Sequence, residues 1–129
     1  MIAIQKQLSV FLDNRPGVLA RTCQALAKDG INILALSISD TVDHAVVRLL
    51  VSDVPKAAAI LQRLHHIVHE RDVLLLDVPN VPGSLAGIAE KLTAAGINIE
   101  YAYCTSASEA TGTLVLRTSD LEATIDALG

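Results

Sequence analysis

Two short loops carry the residues best suited to hold a small molecule, Asn14-Arg15-Pro16-Gly17-Val18 and Asn80-Val81-Pro82-Gly83-Ser84. Each pairs an asparagine, whose amide both donates and accepts hydrogen bonds, with a Pro-Gly step. Proline has a fixed φ and no backbone donor, so the spacing predicts Pro16 and Pro82 in the first turn of a helix. Glycine has no side chain, so a ligand can approach its backbone closely. A helix start presents unpaired N–H groups and partial positive charge, which suit a carboxylate. Asparagine beside such a start suits a zwitterion. Pro-Gly after a polar residue is equally how an ordinary strand-to-helix turn is built, so the loops alone leave site and turn both open.

The other chemically capable residues are weaker. His65 and His69 at i and i+4 on a helix could share a metal, with His66 between them and Glu70 adjacent. No cysteine or carboxylate completes a familiar ligand spacing. The expectation is a solvated helix end, where histidine suits the negative pole of the dipole, and no metal site. Cys23 lies in an apolar stripe and reads as core filler. Cys104 ends a strand with no catalytic partner nearby in sequence. Tyr101 and Tyr103 share a strand face, either lining a pocket or packing at an interface with their hydroxyls in water. Nothing matches a nucleophile elbow, a phosphate loop, paired catalytic carboxylates or a cofactor fingerprint. Neither enzymatic activity nor a cofactor is expected.

The elements that must position these loops follow from an internal repeat. Pro16-Gly17 recurs as Pro82-Gly83 at an offset of 82 − 16 = 66, and Gly30-Ile31-Asn32-Ile33 recurs as Gly96-Ile97-Asn98-Ile99 at 96 − 30 = 66. Ser52-Asp53 matches Ser119-Asp120 at 119 − 52 = 67. Each copy opens on a strand of alternating apolar residues, Leu8, Val10 and Leu12 in one and Leu74, Leu76 and Val78 in the other. A helix follows, its stripe being Leu19, Thr22, Cys23 and Leu26, then Leu85, Ile88, Ala89 and Leu92. Gly30 and Gly96 are placed to close these helices.

A strand over 31–39 or 97–105 follows, then a second over 45–51 or 113–117. Asp53 and Asp120 are placed to cap a last helix. Its face is Ala57, Ile60, Leu61 and Leu64 in the first copy, and Leu121, Ile125 and Leu128 in the second. Each unit is βαββα, and a ferredoxin-like βαββαβ unit needs one more strand. The first strands, 2–12 and 68–78, have surplus residues at the front. The expectation is that these complete each other's sheets in a mutual exchange, the two sheets lying side by side about a pseudo-twofold axis.

Composition bounds the function. Of 129 residues 51% are hydrophobic and 19% charged, enough apolar material to exclude disorder. Only 2% are aromatic, and the net charge is −4, so both the stacking platforms and the basic footprint of a nucleic-acid binder are missing. No apolar run approaches the roughly 20 residues that span a bilayer, and no membrane association is expected. The opening residues lack the features of a signal peptide. Two thiols without motif spacing then point to a cytoplasmic location.

The two segments Asp13-Asn14-Arg15-Pro16-Gly17-Val18-Leu19 and Pro79-Asn80-Val81-Pro82-Gly83-Ser84-Leu85, each followed at a matched distance by Gly-Ile-Asn-Ile, resemble the ACT domain. The resemblance extends over essentially the whole chain, as a stand-alone tandem pair with domains at 1–66 and 67–129. It implies an α+β fold of two ferredoxin-like units and a regulatory role in which a free amino acid binds at an interface between ACT domains. The implied ligand-binding residues are Asn14, Arg15, Pro16, Gly17, Val18, Asn80, Val81, Pro82, Gly83 and Ser84, with Tyr101 and Tyr103. A metabolic enzyme or regulator is the implied partner. The alternative is an assembly module with no ligand of its own. Leu34, Leu36 and Ile38 fall on the strand parity expected to face away from the helices, which predicts a homodimer that covers that face.

Overall fold

A computed structural model of the chain describes residues 2–40, 44–106 and 108–129. The elements run β1 (Ile2–Asp13), α1 (Val18–Lys28), β2 (Ile33–Asp40), β3 (His44–Val51), α2 (Val54–Arg63), β4 (Ile67–Pro79), α3 (Ser84–Ala94), β5 (Ile99–Ser106), β6 (Thr111–Thr118) and α4 (Leu121–Leu128). They group into two compact units, Lys6–Arg71 and Met1–Gln5 with Asp72–Gly129.

In the N-terminal unit β3 runs antiparallel between β1 and β2, with Leu8 opposite Leu49 and Val10 opposite Val47. The opening residues of β4 flank β1 on its other side. Because side chains alternate along a strand, Leu8, Val10 and Leu12 share one face with Val47, Leu49 and Val51. Val18 and Leu26 of α1, and Ala57, Ile60 and Leu61 of α2, close over that face as one buried cluster. Each fully buried leucine contributes roughly 1.5–3 kcal/mol. Leu64, expected on the α2 stripe, is instead the C-cap residue and 40% exposed.

The C-terminal unit repeats the plan. Its β6 lies between β4 and β5, with Leu74 opposite Leu116 and Leu76 opposite Leu114. These four residues, Val78 and Leu92 form the buried cluster, and Ile88, Leu121, Ile125 and Leu128 pack against it. Leu85 and Ala89, expected on the buried stripe of α3, are exposed. Leu85 stands at the rim of a cavity described below.

The surplus strand residues complete the two βαββαβ units. Ile2 packs against the C-terminal cluster, and Val68 packs against the N-terminal one. The short fourth strands are therefore exchanged, as their excess length predicts.

The expected parity of β2 is overturned. A register irregularity between Ile33 and Ala35 puts Leu36 opposite Leu49 and Ile38 opposite Val47. Leu36 and Ile38 thus belong to the helix side of the sheet. One extra residue in a strand reverses every following side chain, which periodicity read straight along the chain cannot register. Both residues remain exposed because β2 is the outer strand of its unit. Among the described residues no helix is long and apolar enough to cross a membrane.

Candidate functional site

The two Pro-Gly loops are built alike. In each, the amide of the fourth residue approaches the carbonyl of the first, Val18 N to Arg15 O at 3.5 Å and Ser84 N to Val81 O at 3.3 Å. Gly17 has φ 88° and ψ −16°, and Gly83 has φ 92° and ψ −9°. That is the third position of a type II turn, which follows proline and needs glycine. The prolines consequently precede the N-cap and do not occupy the first helical turn as their spacing predicts. Gly17 and Gly83 themselves are the N-caps, and no side chain caps either helix.

The other two helices differ at this point. Asp53 accepts from Lys56 N at 3.1 Å and Asp120 from Ala123 N at 3.0 Å. Among the described residues, only the helices that start at the Pro-Gly loops therefore lack a side-chain cap. Their first-turn amides are chemically suited to an external carboxylate.

In the C-terminal unit this loop opens on a cavity of about 340 Å³. Asn80, Val81, Gly83 and Ser84 line it with Leu85, Cys104 and Thr105. Asn80 is held in place, its backbone N–H donating to Ala110 O at 2.9 Å and its side-chain amide to Glu109 O at 3.0 Å. Its carbonyl oxygen is the side-chain group that would serve a ligand's ammonium. Pro82 is exposed beside it. Tyr101 and Tyr103 pair with Arg117 and Val115, on the sheet face opposite the helices, and are half-buried. They do not join the lining of this cavity.

In the N-terminal unit Arg15 and Val18 line a different cavity, of about 420 Å³. It lies between the end of β1, the first turns of α1 and the segment after α2, with Asp13, Arg21, Thr22, His65 and His66 in its wall. Asn14, Pro16 and Gly17 are exposed in the same loop and lie outside that lining.

The profile of one family, the ACT domain pair, matches residues 2–128. The chain belongs to the ACT domain family. A search of curated proteins found no match. Among solved structures, protein BT0572 from Bacteroides thetaiotaomicron is 38% identical with a TM-score of 0.92, covering 98% of this chain and 88% of that one. The ligand-free regulatory subunit of aspartate kinase from Thermus thermophilus is 19% identical with a TM-score of 0.73, covering 98% and 93%. The corresponding subunit from Thermus flavus is 19% identical with a TM-score of 0.67, covering 98% and 94%. At that identity the two Thermus subunits share the fold.

The histidines of this ACT pair are placed otherwise than a helix would place them. The helix α2 stops at Arg63, so His65 and His69 do not share a helical face. His65 closes α2 with φ 65°, its N–H donating to Gln62 O at 2.9 Å while His66 N–H donates to Leu61 O at 3.1 Å. That is the hydrogen-bond pattern of a Schellman cap, in which α1 and α3 carry Gly30 and Gly96. His69 lies on β4 with its ring edge-on to Phe11 at 5.6 Å. Among the described residues no group of three His, Cys, Asp or Glu could hold a metal ion.

His66 Nε2 is 3.1 Å from Thr22 Oγ1, across 44 residues of sequence. Thr22 Oγ1 donates to Val18 O at 2.8 Å, so its single proton is engaged and the histidine nitrogen is the donor. Burial pulls the His66 imidazole below the ordinary histidine range, Asp13 opposes this, and His65 adds to it. Burial likewise pushes the Cys23 thiol up, which keeps it protonated and inert. Neither His66 nor Arg21 stood out in the sequence as a pocket residue. The available signal was asymmetry, since Arg15 and Arg21 align with Val81 and Gly87 in the second copy.

Proposed function

We propose that this ACT domain pair is a regulatory sensor that binds a free amino acid at an interface between ACT domains and catalyses no reaction itself. The observation that carries the reading is the uncapped, glycine-started helix α3 opening on a cavity of about 340 Å³ lined by Asn80, Gly83 and Ser84. A carboxylate at the first-turn amides would replace the missing cap, and the Asn80 carbonyl would accept from the ammonium group. Val81 and Leu85, 59% and 53% exposed, offer apolar surface to the ligand's side chain. Asn14, Arg15, Pro16, Gly17 and Val18 form the corresponding loop of the first copy, with Tyr101 and Tyr103 assigned to the interface. The ACT units are taken as residues 1–66 and 67–129 of the repeat.

The Thermus neighbours are regulatory subunits of aspartate kinase, which supports a metabolic enzyme or regulator as the partner; the cytoplasmic location rests on the two thiols without motif spacing. Thermal unfolding against a panel of the common amino acids tests the proposal. A ligand that binds only the native state raises the melting temperature by mass action. A specific rise is expected for one amino acid or a related few. No rise at millimolar concentration would refute the sensor reading.

The second reading, an assembly module, is favoured by Leu34, Leu36 and Ile38, exposed at 51%, 41% and 46% along the outer strand β2. A homodimer is part of both readings. Light scattering at micromolar concentration is expected to report about twice the 13.6 kDa chain mass; a strict monomer would refute it.

A further inference from the structure

The amino-acid reading rests on the C-terminal loop cavity, and in the larger N-terminal cavity it uses only the loop residues Arg15 and Val18, leaving Arg21 and His65 without a role. We propose that this cavity of about 420 Å³ binds a small organic anion, a phosphate- or carboxylate-bearing molecule, held by Arg15, Arg21 and His65. The volume suits a small metabolite.

Charge supports the assignment. The described lining residues include two arginines against one acid, Asp13, with the imidazole of His65 beside them. Asp13 reaches Arg15 at 3.5 Å, while Arg21 forms no salt bridge among the described residues. A Cβ on Gly17 would stand 3.2 Å from the Arg21 guanidinium, so the glycine leaves room for that group against the loop. Guanidinium groups match the geometry of phosphate and carboxylate.

Backbone strain is an independent indication. His65 is the only described non-glycine residue with positive φ. It stands where two other helices of this chain use glycine, a position that disfavours any Cβ. An outlier of this kind points to a demand made by function. Here the side chain that glycine would forfeit lines the cavity.

The fold does not require the charge. A cavity in the C-terminal unit uses Asp77, Pro79, Ser84, Gly87 and Ile88, the counterparts at offset 66 of Phe11, Asp13, Val18, Arg21 and Thr22. The pocket is duplicated, but Arg21 has become glycine there, and Lys91 against Asp77 leaves that lining without the paired arginines.

The test is calorimetric unfolding and titration of the full chain with inorganic phosphate and with citrate, against chloride at equal ionic strength. Either probe should raise the melting temperature beyond chloride. The Arg21→Gln and His65→Gly variants should each lose about tenfold or more in affinity. His65→Gly removes strain, so it should remain folded and melt higher, separating a ligand role from a structural one. Phosphate alone acting indicates a phosphate ester, citrate alone a polycarboxylate, and both outcomes uphold the pocket. No rise with either probe overturns the proposal, as does a rise unchanged in the double variant. An amino-acid shift that survives in the double variant leaves the sensor reading standing when this one fails. Loss of the amino-acid shift alone leaves the anion pocket standing.

Discussion

His65, Gly17 and Gly83 hold left-handed backbone conformations that set what each position tolerates. His65 occupies a left-handed position at a helix end, and replacing it with glycine is expected to stabilise the chain by about 1 kcal/mol, read as a higher urea midpoint at unchanged slope. Gly17 and Gly83 have positive φ in their turns, so Gly17→Ala and Gly83→Ala should each cost roughly 1–2 kcal/mol. Gly17→Ala should also displace Arg21, whereas a Cβ at Gly83 meets nothing within 4 Å. His66 has a pH signature of defined sign. Its folded-state affinity for a proton is lowered by burial, so the unfolded chain binds the proton more readily. Stability from neutral His66 is present above the unfolded value of about 6.5 and declines as pH falls below it. The stability advantage of the wild type over His66→Gln is expected to shrink between pH about 7.5 and about 5. An advantage that grows on acidification would contradict this account.

At the scale of elements, the two copies solve one packing problem in two ways. Val51 on β3 and Ala57 on α2 are apolar and buried. Their counterparts at 118 − 51 = 67 and 124 − 57 = 67 are Thr118 on β6 and Thr124 on α4, both also buried. Thr124 donates to Asp120 O at 2.7 Å, so Thr118 must donate to Thr124 Oγ1, also at 2.7 Å. Thr124→Ala would leave the Thr118 hydroxyl buried without an acceptor, at a cost of about 1–3 kcal/mol. Thr118→Val should cost less, because Thr124 keeps its own acceptor. The double variant, which restores the apolar pair of the first copy, should cost less than the sum of the singles. Additive costs in a double-mutant cycle would show that the hydroxyls do not depend on each other. Asp53→Ala and Asp120→Ala should each lose about 1 kcal/mol of capping, with no change in ligand response, because these helices do not start at the Pro-Gly loops.

At the scale of the whole molecule, chain order and unit membership diverge. Met1–Gln5 belong with Asp72–Gly129, and Ile2 packs on the C-terminal cluster. Deleting residues 2–5 should therefore weaken the unit farther along the sequence. Hydrogen exchange is expected to show lost amide protection in β4, β6 and α4, with β3 and α2 largely unaffected. Protection lost evenly from both units, or from the N-terminal unit alone, would contradict this assignment.

The sequence by itself determined the duplication, the order of elements within each copy, the Asp53 and Asp120 caps and the ACT resemblance. These are local features, set by side-chain period, by φ at glycine and proline, and by short-range hydrogen bonding. The exchange of strand ends was legible too, because a strand too long for one unit has to serve another. The same local logic misplaced Pro16 and Pro82, since a type II turn and a first helical turn make similar demands on proline. Tertiary structure alone decided the facing of Leu36 and Ile38, because one register irregularity reverses all later side chains without a mark in the composition. It alone decided that Thr22 meets His66, 44 residues away, and so gathered Arg15, Arg21, His65 and His66 around one cavity. Contacts between residues remote in sequence depend on how helices and sheet close over the core, and periodicity along the chain carries no record of that closure.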